Sequence, residues 1–172
     1  MAESQTERAR PTDPVGRALH FCSYVLVLLG GFLMSALTVM TVVSVMGRKL
    51  FNSPIQGDYE MVTMGTAIAV FLFLPYCHLQ RGNVVVDLFL SWAPKRVQTF
   101  FDALSGLLLA VIAGGFGWRM ALGGQDMHRY NDVSYILALP TWPIFAIAAP
   151  ALVLLSVCGF YTAVRDFKAA SR

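Results

Sequence analysis

The sequence predicts an all-α integral membrane protein with four transmembrane helices, an interfacial segment between helices 2 and 3, and both termini cytoplasmic. Three observations predict it. The 172 residues are 56% hydrophobic and only 13% charged, too little polar surface for a soluble domain of this size. Four segments, Phe21 to Gly47, Met61 to Gln80, Ala103 to Trp118 and Val133 to Val164, contain no Asp, Glu, Lys or Arg, and three of them reach the roughly 20 residues that cross a hydrocarbon core of about 30 Å. Finally, the basic residues between these segments are shared out unevenly, which sets orientation.

Residues 1–17 read as a polar cytoplasmic tail that mixes acids with bases and carries Pro11 and Pro14. Residues 18–168 form the transmembrane domain, and 169–172 a short cytoplasmic end. The first span, 19–47, has an apolar run far longer than the core of a signal peptide, so it is expected to be retained. RKLFNSPIQGDYEM follows, with cations at its front and carboxylates near its end. Arg48 and Lys49 meet the negative end of the first helix dipole, while Asp58 and Glu60 meet the positive end of the second. Asn52, Ser53, Pro54 and Gly57 supply turn chemistry, Asp58 is the expected N-cap, and an Arg48–Glu60 pair across this hairpin would add only about 0 to 1 kcal/mol if exposed.

The second span is 59–80, with a kink expected at Pro75. The loop RGNVVVDLFLSWAPKR is apolar over much of its length and is expected to lie in the inner interface, placed by Asp87, Lys95 and Arg96. The third charge-free run is short and is completed to 97–119 by Val97, Phe100 and Phe101. In it, Gly106, Ala110 and Gly114 stack small side chains on one face that another backbone can approach closely. RMALGGQDMHRYND reads as an outer loop and 134–164 as the fourth span, with kinks expected at Pro143 and Pro150.

Of the 13 Lys and Arg, nine (Arg8, Arg10, Arg17, Arg81, Lys95, Arg96, Arg165, Lys168 and Arg172) flank the proposed inner side, against Arg48, Lys49, Arg119 and Arg129 on the other. Trp118 and Trp142 then fall at the outer boundary, as an aromatic belt requires. The net charge of +3 is spread over several loops, which implies contact with membrane lipids and no nucleic-acid partner.

No span carries an acid or base at its centre. A carrier that couples solute to an ion needs such groups, or helices broken at mid-depth, so neither a self-sufficient carrier nor a stand-alone drug exporter is expected. No catalytic residue, metal site or cofactor is expected either. Cys22, Cys77 and Cys158 show no CxxC spacing and read as buried, reduced thiols. His20 and His78 both map toward the inner face, and the alternative reading is a small haem-binding electron-transfer subunit that ligates iron through them. His128 reads as a solvated loop residue.

Arg48, Phe51, Asn52, Pro54, Ile55 and Glu60 in RKLFNSPIQGDYE, the run RGNVVVDL, and Pro140, Trp142 and Pro150 in LPTWPIFAIAAP together resemble the small membrane subunit of TRAP transporters, the tripartite ATP-independent periplasmic carriers. The chain departs from that pattern at Asn83, where the family often has histidine, and at Gly57 to Glu60, which stand for a tryptophan and paired acids. The resemblance implies an inner-membrane scaffold in a sodium-driven importer of organic acids, partnered by a large transport subunit and a periplasmic solute-binding protein. On that reading Arg48 and Glu60 serve the outer hairpin, Asp87, Lys95 and Arg96 the inner interface, and Gly106, Ala110 and Gly114 helix packing.

Overall fold

The computed structural model describes residues 14–53, 55–80, 95–134 and 136–170, with side chains for all but 95–100 and 168–170. Four helices account for most of them: α1 (Pro14–Phe51), α2 (Asp58–Leu79), α3 (Lys95–Arg129) and α4 (Trp142–Ala170). All four are long and apolar enough to cross a membrane. At about 1.5 Å per residue α2 is about 33 Å long, close to one hydrocarbon core, whereas α1 is about 57 Å and α3 about 52 Å. Both must project beyond the core. Asp87 and the expected interfacial segment lie outside the described residues.

The helices do not close into a ring. In space the order is α1, α2, α4, α3: the largest contact is α3 on α4, followed by α1 on α2 and α2 on α4, with only a slight touch of α1 on α4 near Ser23. Among the described residues, the backbones of α1 and α3 stay apart. Ala113, Leu152 and Leu155 form a small buried core between α3 and α4, and Phe71 of α2 packs against it.

Each seam is built from small residues. On α1 the buried positions are Gly16, Ser23, Gly30 and Ser44, which fall on a seven-residue repeat whose missing member is Leu37. A seven-residue repeat keeps one stripe of a helix facing one partner along its length. The knobs alternate sides: a methyl on Gly65 of α2 would sit 2.5 Å from Leu37 Cδ1, and a methyl on Gly30 would sit 2.7 Å from Phe73 Cε1. Large side chains of each helix fill notches in the other. Between α3 and α4 the approach is closer still, since a methyl on Gly159 would lie 3.0 Å from the Gly106 carbonyl oxygen and 3.2 Å from the Ala110 amide nitrogen. Ser156 Oγ donates across the seam to the Ala110 carbonyl at 2.7 Å.

Gly30 and Gly31 are neighbours in sequence and opposites in surroundings, because nothing lies within 4 Å of a methyl on Gly31. Gly30→Leu is therefore expected to destabilise by about 1–3 kcal/mol through overpacking. Gly31→Leu should be neutral or slightly stabilising, as leucine is the better helix former. Thermal unfolding of the two variants in detergent checks this, and equal midpoints would remove the seam as described.

Two boundaries differ from the sequence expectation. α3 does not stop near Trp118 but continues through Arg129, because Gly123 and Gly124 are packed on Phe145; a methyl on Gly124 would sit 2.9 Å from Phe145 Cβ. α4 begins at Trp142, not at 134. The charge-free residues ahead of it form a short hairpin, with an antiparallel bridge between Val133 and Pro140. Pro143 thus lies in the first turn of α4, where a missing N–H is tolerated, while Pro75 and Pro150 lie inside their helices.

Candidate functional site

The α1–α2 turn and the α3–α4 hairpin meet at one end of the array, the connection end. Asn52, in the left-handed region at φ 53°, turns the chain out of α1, and the Ser53 N–H returns to the Gly47 carbonyl at 3.2 Å. The N-cap of α2 is Gly57, not Asp58. Its φ of +76° favours glycine, and the space a side chain would need is taken by Leu137 of the hairpin.

The charge order at this turn is the one dipole matching requires, with Arg48 and Lys49 in the last turn of α1 and Asp58 and Glu60 in the first turn of α2. The pairing differs from the one considered from sequence. Asp58 Oδ2 accepts from the buried Ser44 hydroxyl at 2.6 Å and lies 3.8 Å from Arg48 Nη2, while its Oδ1 accepts the Tyr59 N–H at 2.7 Å. Glu60 reaches the other connection: the backbone N–H of Ile136 donates to Oε1 at 2.9 Å and that of Leu137 to Oε2 at 3.1 Å. Hydrogen bonds to an ionised carboxylate are stronger than neutral ones, so Glu60 clasps the hairpin to the start of α2.

The hairpin is also braced internally. The Ser134 N–H donates to Leu139 O at 2.8 Å, and Thr141 Oγ1 donates to Asp132 Oδ2 at 3.0 Å. Ile136 and Tyr130 are left 65% and 82% exposed at its surface. Ser44, Asp58, Glu60 and the hairpin backbone thus make one connected unit from three separate parts of the chain.

At the opposite end, His78 Nε2 lies 2.9 Å from Thr162 Oγ1, which in turn donates to the Gly159 carbonyl at 3.0 Å. The His20 ring packs edge-on against Tyr76 at 5.6 Å. The two histidines considered as haem ligands are each engaged with a neighbouring helix. Asp166 is buried and lies beside Arg165, Nε to Oδ1 3.6 Å. Cys158 is buried, with its sulfur 3.9 Å from Ser23 Oγ, but Cys22 and Cys77 are exposed, so the expectation of buried thiols fits one of the three.

Gly106, Ala110 and Gly114 come together against α4 of this same chain. That face is therefore covered, and it is not a surface offered to another subunit. The backbones of Lys95 and Arg96 open α3. Sequence reasoning passed over the α1 stripe of Gly16, Ser23, Gly30 and Ser44, for which a search for small residues at seven-residue spacing was the available signal. Among the described residues, no three His, Cys, Asp or Glu side chains come together as a metal set.

Residues 37–169 match the family model described as tripartite ATP-independent periplasmic transporters, DctQ component. No curated protein and no solved structure matches the chain.

Proposed function

Because this chain belongs to the DctQ family of tripartite ATP-independent periplasmic (TRAP) transporter components, and is thus a small multi-pass subunit of an inner-membrane complex, we propose that it serves as the scaffold of a sodium-driven importer of organic acids. In this reading it enlarges and anchors the static part of a large membrane subunit, which holds the solute and sodium sites and moves. A periplasmic binding protein delivers the solute. Both termini are cytoplasmic, the connection end faces the periplasm, and the clasped hairpin with its exposed Ile136 and Tyr130 helps to receive the binding protein.

The observation that carries the proposal is the open row of helices. A carrier must surround its cargo, yet here α1 stands at one edge with only 6% of its most apolar window buried, against 39% for α4. Surface that extensive on a helix already paired along one stripe is suited to lateral packing against another membrane protein. The charge-free spans offer no acid or base to bind a coupling ion, which is consistent with leaving transport to the partner.

The test is purification of the tagged chain from its native membrane in mild detergent, with mass spectrometry of what accompanies it. A large multi-span protein encoded with it is expected at stoichiometric yield. Reconstituted alone, the chain should move no solute; accumulation of an organic acid by liposomes containing this polypeptide and nothing else would overturn the scaffold reading.

A further inference from the structure

Near the connection end a lateral cleft of about 420 Å³ runs beside the contact of Gly124 on α3 with Phe145 on α4, within the range of roughly 300–1,000 Å³ typical of ligand-holding pockets. The two helices are antiparallel, so depth is read from both. Met120, Ala146 and Ala149 line the deep part, and Gln125, His128 and Trp142 line the mouth. Over about 12 Å of helix, at about 1.5 Å per residue, the lining passes from wholly apolar to hydrogen-bonding. Ala121 and Ala146 are exposed on the open flank, and at the mouth the His128 ring packs edge-on against Trp142 at 5.3 Å.

We propose that this cleft is a phospholipid site, with one acyl chain along Met120, Ala146 and Ala149 and the phosphate group at the mouth. The polarity gradient is that of an amphiphile, apolar at depth and rich in donors at one end. Trp142 supplies an indole N–H at the level where aromatic side chains border the headgroups. The electrostatics at the mouth also suit an anionic group. Arg129 follows His128, Asp126 falls on the far side of α3 at 3.6 residues per turn, and the Asp132 carboxylate, which keeps its charge, is turned to Thr141. A helix of another protein would need a broad apolar face, whereas this recess is capped by donors at one end only. The site depends on the membrane setting of the family and not on the identity of any transport partner.

The experiment uses the subunit purified with whatever complex accompanies it, exchanged into detergent and then exposed to vesicles of phosphatidylethanolamine and phosphatidylglycerol. Tightly held phospholipid is counted by native mass spectrometry. Ala146→Phe, which fills the deep part, should lower retained phospholipid about tenfold, and Gln125→Leu with His128→Leu should lower it while leaving detergent retention unchanged. Val111→Phe, on an exposed position outside the cleft lining, should leave it unchanged. Retention equal to wild type in Ala146→Phe would overturn the proposal. If that variant loses helix content, a photo-crosslinking side chain at position 146 decides: a phospholipid adduct supports the site, and an adduct to a polypeptide overturns it. Yield of the large subunit, scored in parallel, tests the scaffold reading separately.

Discussion

Replacing Glu60 by alanine is expected to release the 130–141 hairpin from α2 and raise amide hydrogen exchange at Ile136 and Leu137 about thirtyfold. The two bonds from those amides to the carboxylate are 2.9 and 3.1 Å long. Hydrogen bonds to charged groups contribute about 1.5–3 kcal/mol each, and the one to Ile136 is exposed, so about 2 kcal/mol for the pair is a reasonable sum; every 1.4 kcal/mol is tenfold. Glu60→Gln should fall between, because an amide offers one acceptor oxygen where the carboxylate offers two and turns a donor toward the second N–H. Exchange at both amides indistinguishable from wild type in Glu60→Ala would show that the hairpin is held by other means.

Arg48→Ala provides the contrast. Its guanidinium is 3.8 Å from Asp58 with 62% of the side chain exposed, a geometry in which ion pairs contribute little. Asp58 keeps its bonds from the Ser44 hydroxyl and the Tyr59 N–H without it. Loss of Arg48 should leave the hairpin amides protected, so the two residues singled out together in the sequence separate experimentally. If the hairpin helps to receive a binding protein, solute uptake should follow the Glu60 series and not the Arg48 one.

The spans themselves were legible because hydropathy and charge report on the solvent, and a lipid core forbids charges over a fixed length. Their ends were not. Arg119 and the Gly-Gly pair read as the start of a loop, yet a single charged side chain does not end a helix, and Gly123 and Gly124 are the notch that Phe145 packs into. Conversely, residues 134–141 carry no charge, yet 134 and 136–141 are not helical: Glu60 and the hairpin's own hydrogen bonds take up the amides of Ser134, Ile136, Leu137 and Thr141. An absence of charge permits a span and does not require one.

Partner choice was hidden for a similar reason. Gly106, Ala110 and Gly114 announced a close contact, but small residues do not say which helix approaches, and only the fold identifies α4. The α1 stripe was overlooked because an amphipathic search looks for large apolar residues facing inward. In lipid the packed face is often the small one, and Gly16, Ser23, Gly30 and Ser44 are buried while Leu28, Phe32 and Val39 of the same helix are exposed. At the connection end Glu60 was recognisable as a residue with a role, though its bonds run to residues 76 and 77 positions away.

The largest loss of stability is expected from Gly159→Leu. A methyl there already meets backbone at 3.0 and 3.2 Å, and neither the Gly106 carbonyl nor the Ala110 amide can turn aside as a flexible side chain would. Overpacking of this kind costs about 1–3 kcal/mol when neighbours relax and more when they cannot. The α3–α4 seam also holds the Ser156 bond and the buried core of Ala113, Leu152 and Leu155, so forcing the helices apart loosens all of these together. Gly115→Leu makes the matching control, since nothing lies within 4 Å of a methyl at that position and it belongs to α3, the other helix of the seam. Thermal unfolding of the purified chain should show a large drop for Gly159→Leu and almost none for Gly115→Leu. Because the seam is internal, any loss of a large partner subunit in the Gly159 variant should appear only with that drop. A variant that unfolds normally yet fails to assemble would place the small-residue face against the partner instead of α4.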